Sequence, residues 1–109
     1  MIAWWHYVVA IPAVAFTVNG IPHYVFGIAG KRFPTPFSGG AGTLDSPVRN
    51  VLWGGANLII GGLLLWLIWP GLSDVTLIAE VLALALLLGC ALGALLSREK
   101  KLSTSSGGR

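Results

Sequence analysis

The sequence predicts an all-α integral membrane helical bundle with three transmembrane helices, and three observations predict it. Of 109 residues, 55% are hydrophobic and 10% charged, where ordinary soluble domains carry about 25% charged residues. The apolar residues gather in three long runs, and two of them, Leu58 to Trp69 and Leu77 to Leu96, offer almost no polar residue on any side. A helix in water needs a polar face, which these lack. The charges lie between and after the runs, where headgroups rather than hydrocarbon would meet them.

The first span is expected over about residues 2–20. Crossing ~30 Å of hydrocarbon takes about 20 helical residues, so this run only just suffices. Pro12, Asn19 and Pro22 predict a kink or break toward its end. Residues 20–29 either continue the span through a kink or form a turn that ends it, and the turn accounts for Asn19-Gly20-Ile21-Pro22 more simply. Met1-Ile2-Ala3-Trp4-Trp5 places no Lys or Arg ahead of the apolar run, unlike a secretory leader, so the segment reads as a retained span.

The second span, about residues 48–69, has Ser46 as a natural N-cap and Pro47 as a natural first helical residue, and Pro70-Gly71 stops it. The third, about residues 75–97, can be capped by Ser73 or Asp74 and meets the charged Arg98-Glu99-Lys100-Lys101 at its end. The intervening loop, about residues 30–46, holds Lys31-Arg32, Phe33-Pro34-Thr35-Pro36-Phe37 and Gly39-Gly40-Ala41-Gly42. The glycine run lacks the G-x-x-x-x-G-K-[ST] pattern of a phosphate cradle and reads as a flexible segment. Residues 1–101 therefore form one transmembrane domain, and the Ser-, Thr- and Gly-rich residues 102–109 read as a disordered tail.

Charge placement sets the expected orientation, because positively charged loops stay in the cytoplasm. Three spans put the loop and the C-terminal tail on one side, and that side holds all seven basic residues, Lys31, Arg32, Arg49, Arg98, Lys100, Lys101 and Arg109. This implies an inner-membrane protein with its N-terminus outside and its C-terminus cytoplasmic. Lys31, Arg32, Arg98, Lys100 and Lys101 are the expected contacts to lipid headgroups. The net charge of +3 is accounted for there, and no nucleic-acid partner is expected. Indoles prefer the headgroup level, and Trp4, Trp5, Trp66 and Trp69 would form one belt on the outer side with Trp53 near the inner one.

Two helix faces look built for packing. Asn50, Gly54, Asn57 and Gly61 follow one another at four, three and four residues, which lines them along one side of span two. Span three carries Ala85, Gly89 and Gly93 at intervals of four. Small residues let helix backbones approach closely in lipid, and side chains such as Asn57 can hydrogen-bond across, each bond worth ~0.6 kcal/mol on average. The lone Cys90 excludes an intrachain disulfide and reads as a small hydrophobe in a helix interface.

Four residues form a candidate polar site. Asn19 and His23 lie four apart beside Pro22, which removes a backbone donor, so freed carbonyls could join them in a small polar site. Glu80 is the one acid set within a span and needs a partner, a proton or an escape to the headgroups. His6 enters span one at a similar depth, so a His6–Glu80 contact is allowed; the plainer alternative has Glu80 snorkelling outward and His6 as an interfacial aromatic. His6 and His23 are too far apart along one helix to share a metal, and no thiol or carboxylate joins either at ligand spacing, so no metal is expected. No G-x-S-x-G elbow or catalytic carboxylate pair occurs, so neither enzymatic activity nor a cofactor is expected.

Asn19-Gly20-Ile21-Pro22-His23-Tyr24, then Gly27, Gly30 and Phe33-Pro34-Thr35-Pro36-Phe37, and finally Ser46-Pro47 with Asn50-Val51-Leu52-Trp53-Gly54 together resemble a signature of small, uncharacterised bacterial multi-spanning membrane proteins. Tyr24 stands where that pattern carries Phe. The resemblance implies a bacterial membrane protein and brings no activity, cofactor or catalytic residue with it. The function expected from the sequence is structural or accessory, exerted by helix packing against copies of the chain, as a homo-oligomer, or against a membrane protein partner. The alternative is a subunit of a small oligomeric transporter or channel with a polar path along spans one and two.

Overall fold

The computed structural model describes residues 2–39 and 43–107, with side chains described as far as Arg98. Among the described residues there are three α-helices, α1 (Trp4–Ile28), α2 (Pro47–Leu67) and α3 (Val75–Gly107), and one short 3-10 turn, Trp69–Gly71. Each α-helix contains a stretch long and apolar enough to cross a bilayer, so the chain is an all-helical bundle of three candidate spans.

The first span is longer than the sequence suggested. Residues 20–28 do not form a separate turn; α1 runs unbroken through Pro12 and Pro22 for 25 residues, about 37 Å of helix. Each proline removes a single backbone donor. Abandoning the helix would strand many more polar groups in an apolar medium, so spanning helices tolerate proline where water would favour a break. The chain then leaves through Gly30, whose φ of +73° suits a residue without a Cβ.

Helix α2 begins as its local chemistry dictates. Ser46 Oγ accepts the Arg49 N–H at 3.2 Å and Pro47 occupies the first turn. Of the two candidate caps for α3, Asp74 serves: its Oδ1 accepts the Thr76 N–H at 2.9 Å. Thr76 Oγ1 donates to the same carboxylate oxygen. These bonds hold the Asp74 carboxyl below its usual pKa, the Thr76 hydroxyl contributing most.

The tail expected to be disordered from residue 102 is instead helical through Gly107. Once a long apolar segment has nucleated a helix, each further residue adds one hydrogen bond at low cost, which carries the ladder into a polar sequence. Gly40, Ala41 and Gly42, expected to be flexible, lie outside the described residues, as do the side chains of Lys100 and Lys101.

Helix α1 is central to the packing, lying closely against α2 and more loosely against α3. At the end where α1 begins, Ala10, Ile68 and Leu77 are fully buried, with Trp5, Leu65 and Val81 against them. Tyr7 and Thr76 share a hydroxyl hydrogen bond of 2.5 Å there, joining α1 to α3. Trp4, Trp66 and Trp69 stand exposed at this same end.

The α1–α2 seam follows a seven-residue period on both helices. Ala13, Gly20 and Gly27 are buried on α1 at that spacing, and Asn50, Gly54, Asn57 and Gly61 are the buried residues of α2. A 3.5-residue repeat keeps two helices in continuous contact when they wind left-handedly around each other. The two backbones come close at Gly20 and Gly54, where a Cβ on either would stand 2.8 Å from the other's carbonyl oxygen. Only glycine fits there.

Candidate functional site

The loop between α1 and α2 is folded around a clasp. Phe33 and Asp45 form an antiparallel bridge, with the Asp45 N–H donating to the Phe33 carbonyl at 2.9 Å. Inside it, Thr35 Oγ1 donates to Asp45 Oδ2 at 2.6 Å. Asp45 Oδ1 accepts the Ser46 N–H at 2.9 Å and lies 3.4 Å from Arg49 Nε. Thr35's hydroxyl above all, helped by the Ser46 amide and the positive charge of Arg49, holds the Asp45 carboxyl below the ordinary 3.8.

Asn50, fully buried on the first turn of α2, ties this clasp to α1. Its Nδ2 donates to the carbonyls of Phe33 at 2.9 Å and Ser46 at 3.0 Å, with that of Asp45 at 3.3 Å. Carbonyls only accept, so the amide nitrogen must face the loop and Oδ1 must face α1. Oδ1 there lies 2.9 Å from His23 Nδ1. Nδ1 therefore carries a proton and donates, so that Nε2 is the acceptor whenever the ring is neutral. The ring is held edge to face with Phe33 and Trp53, at centroid distances of 5.1 and 6.5 Å.

Two α2 turns further on, the arrangement recurs. Asn57 Nδ2 donates to the Trp53 carbonyl at 2.7 Å, so its Oδ1 is the acceptor for Asn19 Nδ2, at 3.4 Å across the seam. Asn19 Oδ1 then faces elsewhere and takes no hydrogen bond from a described residue. Both Asn19 and His23 line a cavity of about 410 Å³, walled also by the Pro34–Pro36 turn, Trp53 and, from α3, Leu92 and Leu96.

Of the residues singled out from the sequence, Asn19 and His23 thus meet Asn50 and Asn57, while Gly54 and Gly61 give α1 its close approach. Gly89 and Gly93 are exposed and meet no other helix among the described residues, since a Cβ on either would have nothing within 4 Å, whereas Ala85 is half-buried. Cys90 beside them is exposed, not in an interface within the chain. His6 and Glu80 are not brought together. His6 stacks on Trp5 at 4.0 Å and turns Nδ1 to the backbone of Ala3, at 3.1 Å from the Ala3 nitrogen. Glu80 Oε1 is buried without a hydrogen-bond partner among the described residues. Lys31, Arg32 and Arg98 are exposed.

Sequence reasoning missed Thr35 and Asp45, whose pairing across the loop leaves no local signal. It also missed Gly20 and Gly27, which the seven-residue spacing from Ala13 could have revealed. The three stretches of the sequence signature converge on this one place. Comparison of the chain with protein-family models, with curated proteins and with solved structures finds no match.

Proposed function

We propose that this chain is a structural or accessory protein of a bacterial inner membrane, with its loop and C-terminus cytoplasmic, and that it works by docking α3 against a second copy or a partner membrane protein. The observation that carries this reading is the contrast between two small-residue faces. The α2 face is consumed within the chain by α1, whereas Gly89 and Gly93 on α3 are exposed, with nothing within 4 Å of an added Cβ. In the apolar 18-residue stretch of each span, 6% of residues are buried for Val75–Arg98, against 28% for α1 and 22% for α2. Lipid satisfies an exposed leucine, but small residues in a spanning helix favour another helix backbone at close range. Cys90, exposed beside Gly89, is a native probe. Thiol crosslinking in intact membranes should give a dimer or a defined heteromeric adduct that Gly89→Leu diminishes, and a monomer alone would overturn the proposal.

A second reading, a subunit of a small transporter or channel, is favoured by the cavity at Asn19 and His23. Solute flux in proteoliposomes that His23→Phe abolishes would support it.

A further inference from the structure

The cavity beside α1 has a hydrogen-bonding character that its supports dictate. Backbone carbonyls fix the Asn50 and Asn57 amides, and those amides fix the His23 tautomer and the Asn19 orientation. Two independent chains of hydrogen bonds therefore end in the same way, each leaving one acceptor, His23 Nε2 and Asn19 Oδ1, with no donor among the described residues. Neither atom is sealed off: the fully enclosed, unpaired polar atoms of the described residues are Trp53 Nε1 and Glu80 Oε1. Asn19 and His23 lie four apart on α1, hence on one face and about 6 Å along the axis.

The remaining walls narrow the ligand further. No lining residue carries a formal charge when His23 is neutral, so an ion would find no counter-charge. The volume of about 410 Å³ falls within the ~300–1,000 Å³ of small-molecule sites. Leu92, Leu95 and Leu96 of α3 border it, and the exposed face of α3 continues from them toward lipid. A ligand suited to this place has proton donors at one end, no net charge and an apolar remainder.

We propose that the cavity binds the head of a neutral, hydroxyl-bearing amphiphile, with His23 Nε2 and Asn19 Oδ1 accepting its hydroxyl protons and the α3 leucines bordering its chain. The site is independent of whether α3 docks on another protein. It requires only the α1–α2 seam, the loop clasp and the adjacent stretch of α3.

The chain has two histidines, so imidazole nitrogen-15 resonances of the full-length protein in liposomes give a direct test, with His6→Gln identifying His23. The expected spectrum shows His23 protonated at Nδ1 and bare at Nε2. Adding 1,2-octanediol should shift Nε2, whereas 1,2-dimethoxyoctane, which has the same carbon frame and no donor, should leave it in place. Leu92→Trp, which fills the cavity from α3 without touching the seam, should keep the tautomer and weaken the diol response about tenfold or more. A proton on Nε2, an equal response to the dimethyl ether, or an equal shift at His6 would overturn the proposal. So would an equal response to 1,2-propanediol at matched membrane concentration, since it has the head without the chain.

Discussion

His23 donates through Nδ1 to Asn50 Oδ1 across 2.9 Å, and the direction of this bond is set at the far end of the Asn50 side chain. The Phe33 and Ser46 carbonyls occupy the amide nitrogen, so the loop determines which histidine nitrogen holds the proton. Replacing Asn50 by Leu removes the amide bonds to the Phe33 and Ser46 carbonyls, which keep their backbone N–H partners, and leaves the His23 ring N–H unpaired in a buried place. The unpaired N–H costs about 1–3 kcal/mol and each lost amide bond about 0.5–1.5 kcal/mol, so a total loss of about 3 kcal/mol is expected in reversible unfolding from mixed micelles. Stability within 1 kcal/mol of the parent, on the same scale, would sink this account of the seam.

The close approach of α1 and α2 predicts opposite outcomes for two glycines on α2. Gly54→Ala places a Cβ against the Tyr24 backbone and 2.8 Å from the Gly20 carbonyl, so the helices must part. Overpacking of this kind costs about 1–3 kcal/mol. Gly62→Ala meets nothing within 4 Å and should be neutral or stabilising by up to about 1 kcal/mol through helix propensity. Thermal unfolding of the two variants side by side is the measurement. An equal response would show that the seam is not a steric fit.

The clasp should weaken in acid. The folded-state pKa of Asp45 lies below 3.8 because Thr35, Ser46 and Arg49 favour the carboxylate. A carboxyl with a depressed folded pKa stabilises the fold above its unfolded value, and that contribution is lost as pH falls through the folded one. Hydrogen exchange of the Asp45 amide, bonded to Phe33, should therefore show protection that is flat above about pH 5 and declines below pH 3.8. Thr35→Val should move that decline upward toward the ordinary carboxyl range. No upward movement in the variant would remove Thr35 as the chief cause.

Glu80 should prove dispensable for stability. Its Oε1 is enclosed without a partner among the described residues, and replacing an unpaired buried polar group by an apolar one is commonly neutral or better. Glu80→Leu is expected to unfold at the same temperature as the parent or a higher one. A loss beyond about 1 kcal/mol would show that Glu80 has a partner supplied by another molecule.

The architecture was legible in the sequence because lipid leaves few choices: a long apolar run must be helical, and residues such as Ser46-Pro47 and Asp74 mark helix starts by local chemistry alone. The α2 face was legible for a similar reason, since spacings of four, three and four have one meaning on a helix. The length of α1 was not, because the cost of proline was weighed as though water could serve the freed groups. Nor was the site. Asn19 and His23 could be noticed, but their partners are 38 and 27 positions away in the chain, and the loop that orients Asn50 closes through Thr35 and Asp45. Spacing reports what shares a face and is silent about what lies opposite.

Helix α1 lies against both of its neighbours, while α2 and α3 scarcely meet each other and border a gap beside Trp53 and Leu92. The described residues thus form a row and not a closed ring, with two broad flanks. A solute could not cross the bilayer through one copy without meeting hydrocarbon on an open side, so any conducting assembly would need a neighbouring subunit to close the wall.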